Sequence, residues 1–151
     1  MSEIIRVNRG IKKYAVVDEE DNIIAELIID TNDTSLLDRF IELYDNVRDI
    51  KNNCDKKFEK LGLNEKENID TKDAKAILGV NKEAVNNIID EIEKLFGKGL
   101  FKTMFEDNYE LNPGFVPDIA LIEDFFKQIM PIITSIFQNK SKYSVGKKGK
   151  M

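Results

Sequence analysis

Leu36, Leu37, Phe40, Ile41, Tyr44, Val47, Ile50, Cys54, Phe58 and Leu61 recur every three or four positions. That period belongs to an amphipathic helix and to no strand, because side chains three and four apart share one helical face. The helix runs about seven turns and ends near Gly62, a residue type suited to the position after a last turn. At its start, Ser35 followed three residues later by Asp38 resembles a capping box, with Asp in place of the usual Glu or Gln. Cys54 lies on the stripe and reads as a small buried hydrophobe rather than a nucleophile.

What precedes this helix reads as β. Ile4, Ile5 and Val7 form a short strand that ends at the Asn8-Arg9-Gly10 turn signal. Tyr14 to Val17 and Ile23 to Ile29 are β-branched runs separated by Asp18-Glu19-Glu20-Asp21-Asn22, which is the pattern of a hairpin with a polar loop. Three strands with one apolar face are marginal alone and need a helix to cover them.

After a polar stretch at 63–68, Asp70 and Thr71 offer caps for a further helical stretch. Ala74, Ile77, Leu78, Val85, Ile88, Ile89, Ile92, Leu95 and Phe96 keep one apolar face, with Gly79 in the middle and Gly97 as terminator. A short turn from Gly99 to Phe105 precedes a loop over 108–117 that holds Pro113, Gly114 and Pro117. Asp118 caps the last helix, whose stripe is Ile119, Ile122, Phe125, Phe126, Ile129, Ile132, Ile133, Ile136 and Phe137, and Pro131 within it predicts a kink. The expected architecture is α+β and mostly α: an N-terminal antiparallel hairpin or three-stranded sheet over 3–30, then a bundle of helices over 35–138. Residues 1–139 make a single domain, and 140–151 a disordered basic tail.

The composition then narrows the function. There is no His, and Cys54 is the one cysteine. The usual neutral-pH proton shuttle is missing, and so are an internal disulfide and a Cys-cluster metal site. Triad hydrolases, zincins, zinc fingers and haem proteins are poor candidates, so the chain reads as a binding or assembly protein with no catalytic residues, metal or cofactor. Charge is unevenly spread. Lys140, Lys142, Lys147, Lys148 and Lys150 face no acid in the last twelve residues, which leaves −10 on the rest of a chain whose formal net charge is −5. An acidic body repels nucleic acid, whereas the basic end is either a solvated terminus or a contact for RNA, DNA or an acidic partner. The first ten residues are too polar for a signal peptide, and Glu123, Asp124, Lys127 and Gln128 interrupt the most apolar stretch. A cytoplasmic location with no membrane partner follows as an expectation.

Three constellations invite chemistry. The acidic turns at 18–21 and 30–33 lack the glycine and closing glutamate of a calcium loop, so they read as solvated turns. Gly97-Lys98-Gly99 lacks the spacing of a phosphate loop and reads as a helix terminator. Thr71 to Ile89 is patterned like a helix-turn-helix, with Gly79 as the turn and Asn81 onward as the recognition helix. Lys75 at the tight crossing, and Asp90, Glu91 and Glu93 beyond, weigh against DNA binding and favour two packed structural helices. The aromatic residues Phe96, Phe101, Phe105, Phe125, Phe126 and Phe137 are core by default. The last helix is nevertheless apolar on more than one side, so Ile122, Phe125, Phe126, Ile129, Ile133 and Phe137 are either core or a partner-binding face.

One resemblance joins these pieces. The order is a small hairpin, a long helix, a helix ending in Leu95-Phe96-Gly97-Lys98-Gly99, then Phe105, a Pro-containing helix with Phe125-Phe126, and finally Lys140, Lys142 and Tyr143. It resembles the small tail assembly chaperones of phages and prophages from low-GC Gram-positive bacteria, over most of residues 4–143. The resemblance implies a non-enzymatic protein of the infected or lysogenic host's cytoplasm. It would bind the hydrophobic tape measure protein, with tail-tube subunits as a further candidate partner, keep the former soluble until those subunits polymerise, and assemble as a homo-oligomer. A DNA-binding regulator acting through 71–89 and a minor structural tail component are the alternatives.

Overall fold

The computed structural model describes the backbone of residues 3–62 and 68–149 and the side chains of 3–62 and 68–139. It is mostly helical, with an N-terminal antiparallel hairpin. The order is β1 (Ile11–Val17), β2 (Ile23–Asp30), α1 (Leu36–Leu61), α2 (Thr71–Phe96), α3 (Leu100–Met104), α4 (Glu106–Leu111) and α5 (Ile119–Gly149).

The hairpin pairs Lys12 with Ile29, Tyr14 with Leu27 and Val16 with Ala25, and a bulge between Val16 and Val17 resets the register to Val17 with Ile23. Alternation along β2 buries Ala25, Leu27 and Ile29 on one face. The acidic turn closes on itself: Asp18 Oδ1 accepts the backbone amides of Glu20 and Asn22, each at 2.9 Å. These bonds, led by the one from Asn22, hold the Asp18 carboxyl below its ordinary pKa.

The expected third strand is not formed. Residues 3–10 are irregular, and the sheet has two strands. Strand propensity at Ile4, Ile5 and Val7 is unrewarded because, among the described residues, no neighbouring strand completes the ladder. The segment instead bends at Gly10, whose φ is +68°. Gly10 donates its amide to Asn8 Oδ1 (2.9 Å). Its carbonyl accepts the amide and hydroxyl of Thr31 at 2.9 and 2.6 Å. A Cβ there would stand 2.6 Å from Thr31 Oγ1 and 2.7 Å from Asn32 Cγ, so both the dihedral and the space require glycine.

The helix α1 begins at Leu36 and closes on Gly62 in the left-handed conformation. Its first turn is organised differently from the capping box read in the sequence. Ser35 makes no side-chain cap; Asp33 Oδ1 instead accepts the Ser35 amide (2.9 Å) and hydroxyl (2.6 Å). The buried seam is Leu36, Phe40, Leu43 and Cys54, whereas Ile41 and Tyr44 are exposed. Leu43, omitted from the sequence stripe, belongs to the core.

No turn interrupts α2. The Asp70 carboxylate accepts the Asp73 amide at 2.8 Å, and the Asp73 carboxylate accepts the Asp70 amide at 3.4 Å, a complete capping box. From there the helix runs unbroken through Gly79 to Phe96. Neither the helix-turn-helix pattern nor the two packed helices favoured for 71–89 is formed, because a single glycine costs a helix about 1 kcal/mol, too little to break one packed on a neighbour. Its buried residues, Ala84, Val85, Ile88, Ile89 and Ile92, all lie in the second half.

The two long helices run antiparallel, since bonds between them climb α1 as they descend α2. Arg39 reaches the Lys94 carbonyl (3.4 Å), Asn46 reaches Glu91 (3.0 Å), and Lys57 pairs with Glu83 (3.2 Å). Cys54 and Ala84 are the last buried residues before their distal ends. At the other end α2 stops at Gly97, and Glu93 Oε2 accepts the Phe101 amide (2.9 Å) to start α3. Residues read as loop from 108 onward include the last turns of α4, so the irregular connection is confined to 112–118. Asp118 Oδ1 accepts the Ala120 amide (2.9 Å) at the start of α5.

One cluster joins these elements. Leu27 and Ile29 from the hairpin meet Phe40 and Leu43 from α1, Ile88 and Ile92 from α2, Phe101 and Met104 from α3, and Ile129 and Ile133 from α5. Pro131 lies within α5. The backbone stays helical to Gly149, where a disordered end was expected from residue 140. Between Gln138 and Gly146 no glycine or proline interrupts the chain, and lysines near a helix C-terminus oppose the negative end of its dipole.

Glu91 ties α1 to α2 and makes stability pH-dependent. Its carboxylate accepts from Lys94 Nζ (2.9 Å) and Asn46 Nδ2 (3.0 Å), which hold its pKa below the ordinary value of 4.5. A carboxyl depressed in the folded state stabilises it above the unfolded pKa, and loses that effect as pH falls through the folded one. Replacing Glu91 with Gln should therefore flatten the acid limb of thermal stability below pH 4.5. An unchanged limb in a melting series from neutral to acid pH would show that Glu91 contributes nothing there.

Candidate functional site

The six residues marked in the sequence as core or partner face do not share one surface. Ile122, Phe126, Ile129 and Ile133 are buried, spaced four, three and four apart along one seam of α5. Phe126 stacks on Phe40 of α1 at 5.6 Å between centroids, and Tyr44 lies 6.2 Å from it. Phe125 is half-buried on the adjacent side, edge-on to Phe101 at 5.7 Å. Phe137 is half-buried near the end of the described side chains, beside Leu36 and Leu37. As a set they are mostly core.

Two depressions flank that seam. The first, about 290 Å³, lies between α1 and α5. Ile88, Ile92, Ile122 and Phe126 form its floor, with Tyr44, Val47, Ile119 and Met130 around them. Its rim is basic: Arg48, Lys51 and Lys127 stand there with Glu123, which pairs with Lys51 at 2.6 Å. The second, about 690 Å³, is an open groove between β1 and the α3–α5 side, with Phe105, Leu121, Phe125 and Ile132 on its far wall. Tyr44 and Leu121 are exposed aromatic and aliphatic surface at these two openings.

Beside the second groove runs a ladder of rings that links Phe125 to Phe101, Phe101 to Phe105, Phe105 to Phe115 and Phe115 to Tyr109 at 5.2 to 6.3 Å. Phe115 and Tyr109 carry no helical period. The signal for them was the density of aromatics around the breakers Pro113, Gly114 and Pro117.

Among the described residues no group of three or more acidic or cysteine side chains is placed to hold a metal ion. Among those same residues no helix is long and apolar enough to cross a membrane. The Cys54 thiol is buried, and burial, reinforced by nearby Asp55 and opposed by Lys57, pushes its pKa up. A raised pKa and a closed environment both slow thiolate chemistry. Cys54 should react with a thiol reagent such as Ellman's far more slowly in the folded chain than in denaturant; equal rates would place it on the surface.

No family model, curated protein or solved structure matches the chain.

Proposed function

We propose that the protein is a non-enzymatic tail assembly chaperone whose client, a tape measure protein, docks an apolar helical segment in the cavity between α1 and α5. The observation that carries this reading is the composition of that cavity: an apolar floor, half-exposed Tyr44 and Met130 at its mouth, and a rim of Arg48, Lys51 and Lys127. An amphipathic helix fills such a site by its apolar stripe, and an acidic flank meets Lys127, since Arg48 and Lys51 already pair with Asp45 and Glu123. The acidic surface elsewhere keeps the loaded complex soluble. The client surface thus moves from the buried seam of α5 to the residues that open beside it.

Co-expression with a phage tape measure protein from the same genome tests the proposal. The client should stay soluble and co-purify with this chain. Tyr44→Asp combined with Met130→Asp should abolish both effects while helical circular dichroism is retained. A client equally insoluble with and without this chain ends the proposal. A major tail protein encoded upstream and a very long gene downstream would add independent support.

A further inference from the structure

The groove of about 690 Å³ is walled on one side by a strand seen edge-on. Tyr14 to Val17 line it without a gap. Successive strand residues point to opposite faces, so a trough beneath the sheet would touch only alternate ones; this one runs along the edge of β1. The edge is open. The sheet has two strands, and among the described residues no backbone bond leaves Ile11–Val17 except to β2. Its seven residues offer about 23 Å of edge. Leu121, Phe125, Gln128 and Ile132 stand opposite at helical spacing on α5, with Phe105 beside them. A bare strand edge facing an apolar wall suits an extended segment, whose backbone pairs with the edge while alternate side chains enter the trough.

The chain's own first residues are held away from this edge. Asn32 Nδ2 donates to the Asn8 carbonyl at 2.6 Å, and Thr31 donates to the Gly10 carbonyl from both its amide and its hydroxyl, all on the β2 side.

Charge selects the occupant. The lining carries Asp18, Glu19, Asp107 and Asp124 and no lysine or arginine. Asp18 accepts amides of its own turn, and Asp124 accepts from Gln128 at 3.0 Å, yet these neutral donors leave each charge in place. Among the described residues none of the four carboxylates makes a salt bridge. The sign is local to the groove, because the cavity between α1 and α5 has Arg48, Lys51 and Lys127 at its rim. Carboxylates without a cation repel an acidic partner and favour a basic one. We propose that the groove beside β1 binds an extended segment of another protein, apolar at alternate positions and flanked by lysine or arginine, which adds to β1 as a third strand.

This inference does not depend on the tape-measure reading, which concerns the other cavity. The full chain is titrated into a fluorescein-labelled peptide in which valine and threonine alternate between flanking lysines, with anisotropy as the readout. It should bind, more weakly as salt rises, while the same peptide flanked by glutamates should not. Asp107→Lys with Asp124→Lys, both exposed positions, should weaken the lysine peptide about tenfold or more with circular dichroism unchanged, and should let the glutamate peptide bind. Hydrogen exchange at Tyr14 to Val17 should slow on binding, and methylating alternate amide nitrogens of the peptide should abolish it. No binding of the lysine peptide overturns the proposal, as does equal binding of the two peptides. Binding that leaves β1 exchange unchanged and tolerates methylation also overturns it. So does a chain that dimerises alone and loses the dimer in the double variant, which would give the groove to a second copy.

Discussion

Truncating Phe101 to alanine should lower the unfolding free energy by about 3–5 kcal/mol and the melting temperature by about 10 °C. Phe101 is 1% exposed, and it is where α3, the hairpin and α5 converge. Its ring touches Phe105 and Phe125, so the change opens a cavity and removes two aromatic contacts together. The backbone around it resists collapse: Glu93 holds the Phe101 amide, and Gly97 and Gly99 both sit at positive φ. Calorimetry of the variant decides the matter; a loss under 1 kcal/mol would mean that the short helix α3 is an ornament rather than a keystone.

A larger effect is expected from Ile129→Asp. Ile129 is 2% exposed on the inner seam of α5, with no basic side chain among the buried residues to receive a carboxylate. An unpaired charge there should cost roughly 4 kcal/mol or more and leave the chain unfolded or molten at room temperature. Leu121→Asp, at a position 51% exposed on the same helix, should change stability by only about 0.5 kcal/mol. Chemical denaturation of the pair separates a buried seam from a partner face. Equal and small effects would return Ile129 to the surface.

The contrast shows what the sequence could carry. Helix positions were legible because the 3.6 period survives any choice of partner, and so were the hairpin, its acidic turn and the terminators Gly62 and Gly97. The inward side of each helix was harder. On α1 the core took Leu43 and left Ile41 and Tyr44 outside, because Phe126 stacks between Phe40 and Tyr44 from another element. Local spacing holds no record of that neighbour. Strict four-three-four spacing, which admits Leu43, does trace the seam: buried Leu36, Phe40, Leu43 and Cys54 with half-buried Val47 and Ile50 on α1, and Ile122, Phe126, Ile129 and Ile133 on α5.

Other departures have similarly local causes. Gly79 punctuates the pattern, but its cost is spread along a helix capped at Asp70 and packed at its far end. The N-terminal β-branched run has propensity without a pairing edge in reach, and propensity alone does not make a strand. Of the core and partner-face readings of α5, burial of Ile122, Phe126, Ile129 and Ile133 favours core, with the remaining apolar residues beside two depressions.

Beyond Cys54 on α1 and before Ala84 on α2, the antiparallel pair carries no buried residue. These distal turns, 55–61 and 71–83, are held by half-buried side chains, the Lys57–Glu83 pair and the Asp70 capping box. Their amides should therefore open on a far lower free-energy scale than those around Ile88 and Ile92, exchanging hydrogen in seconds to minutes while the proximal turns wait on global unfolding. The long helices are continuous in geometry yet divided in lifetime, with the boundary near Cys54 and Ala84.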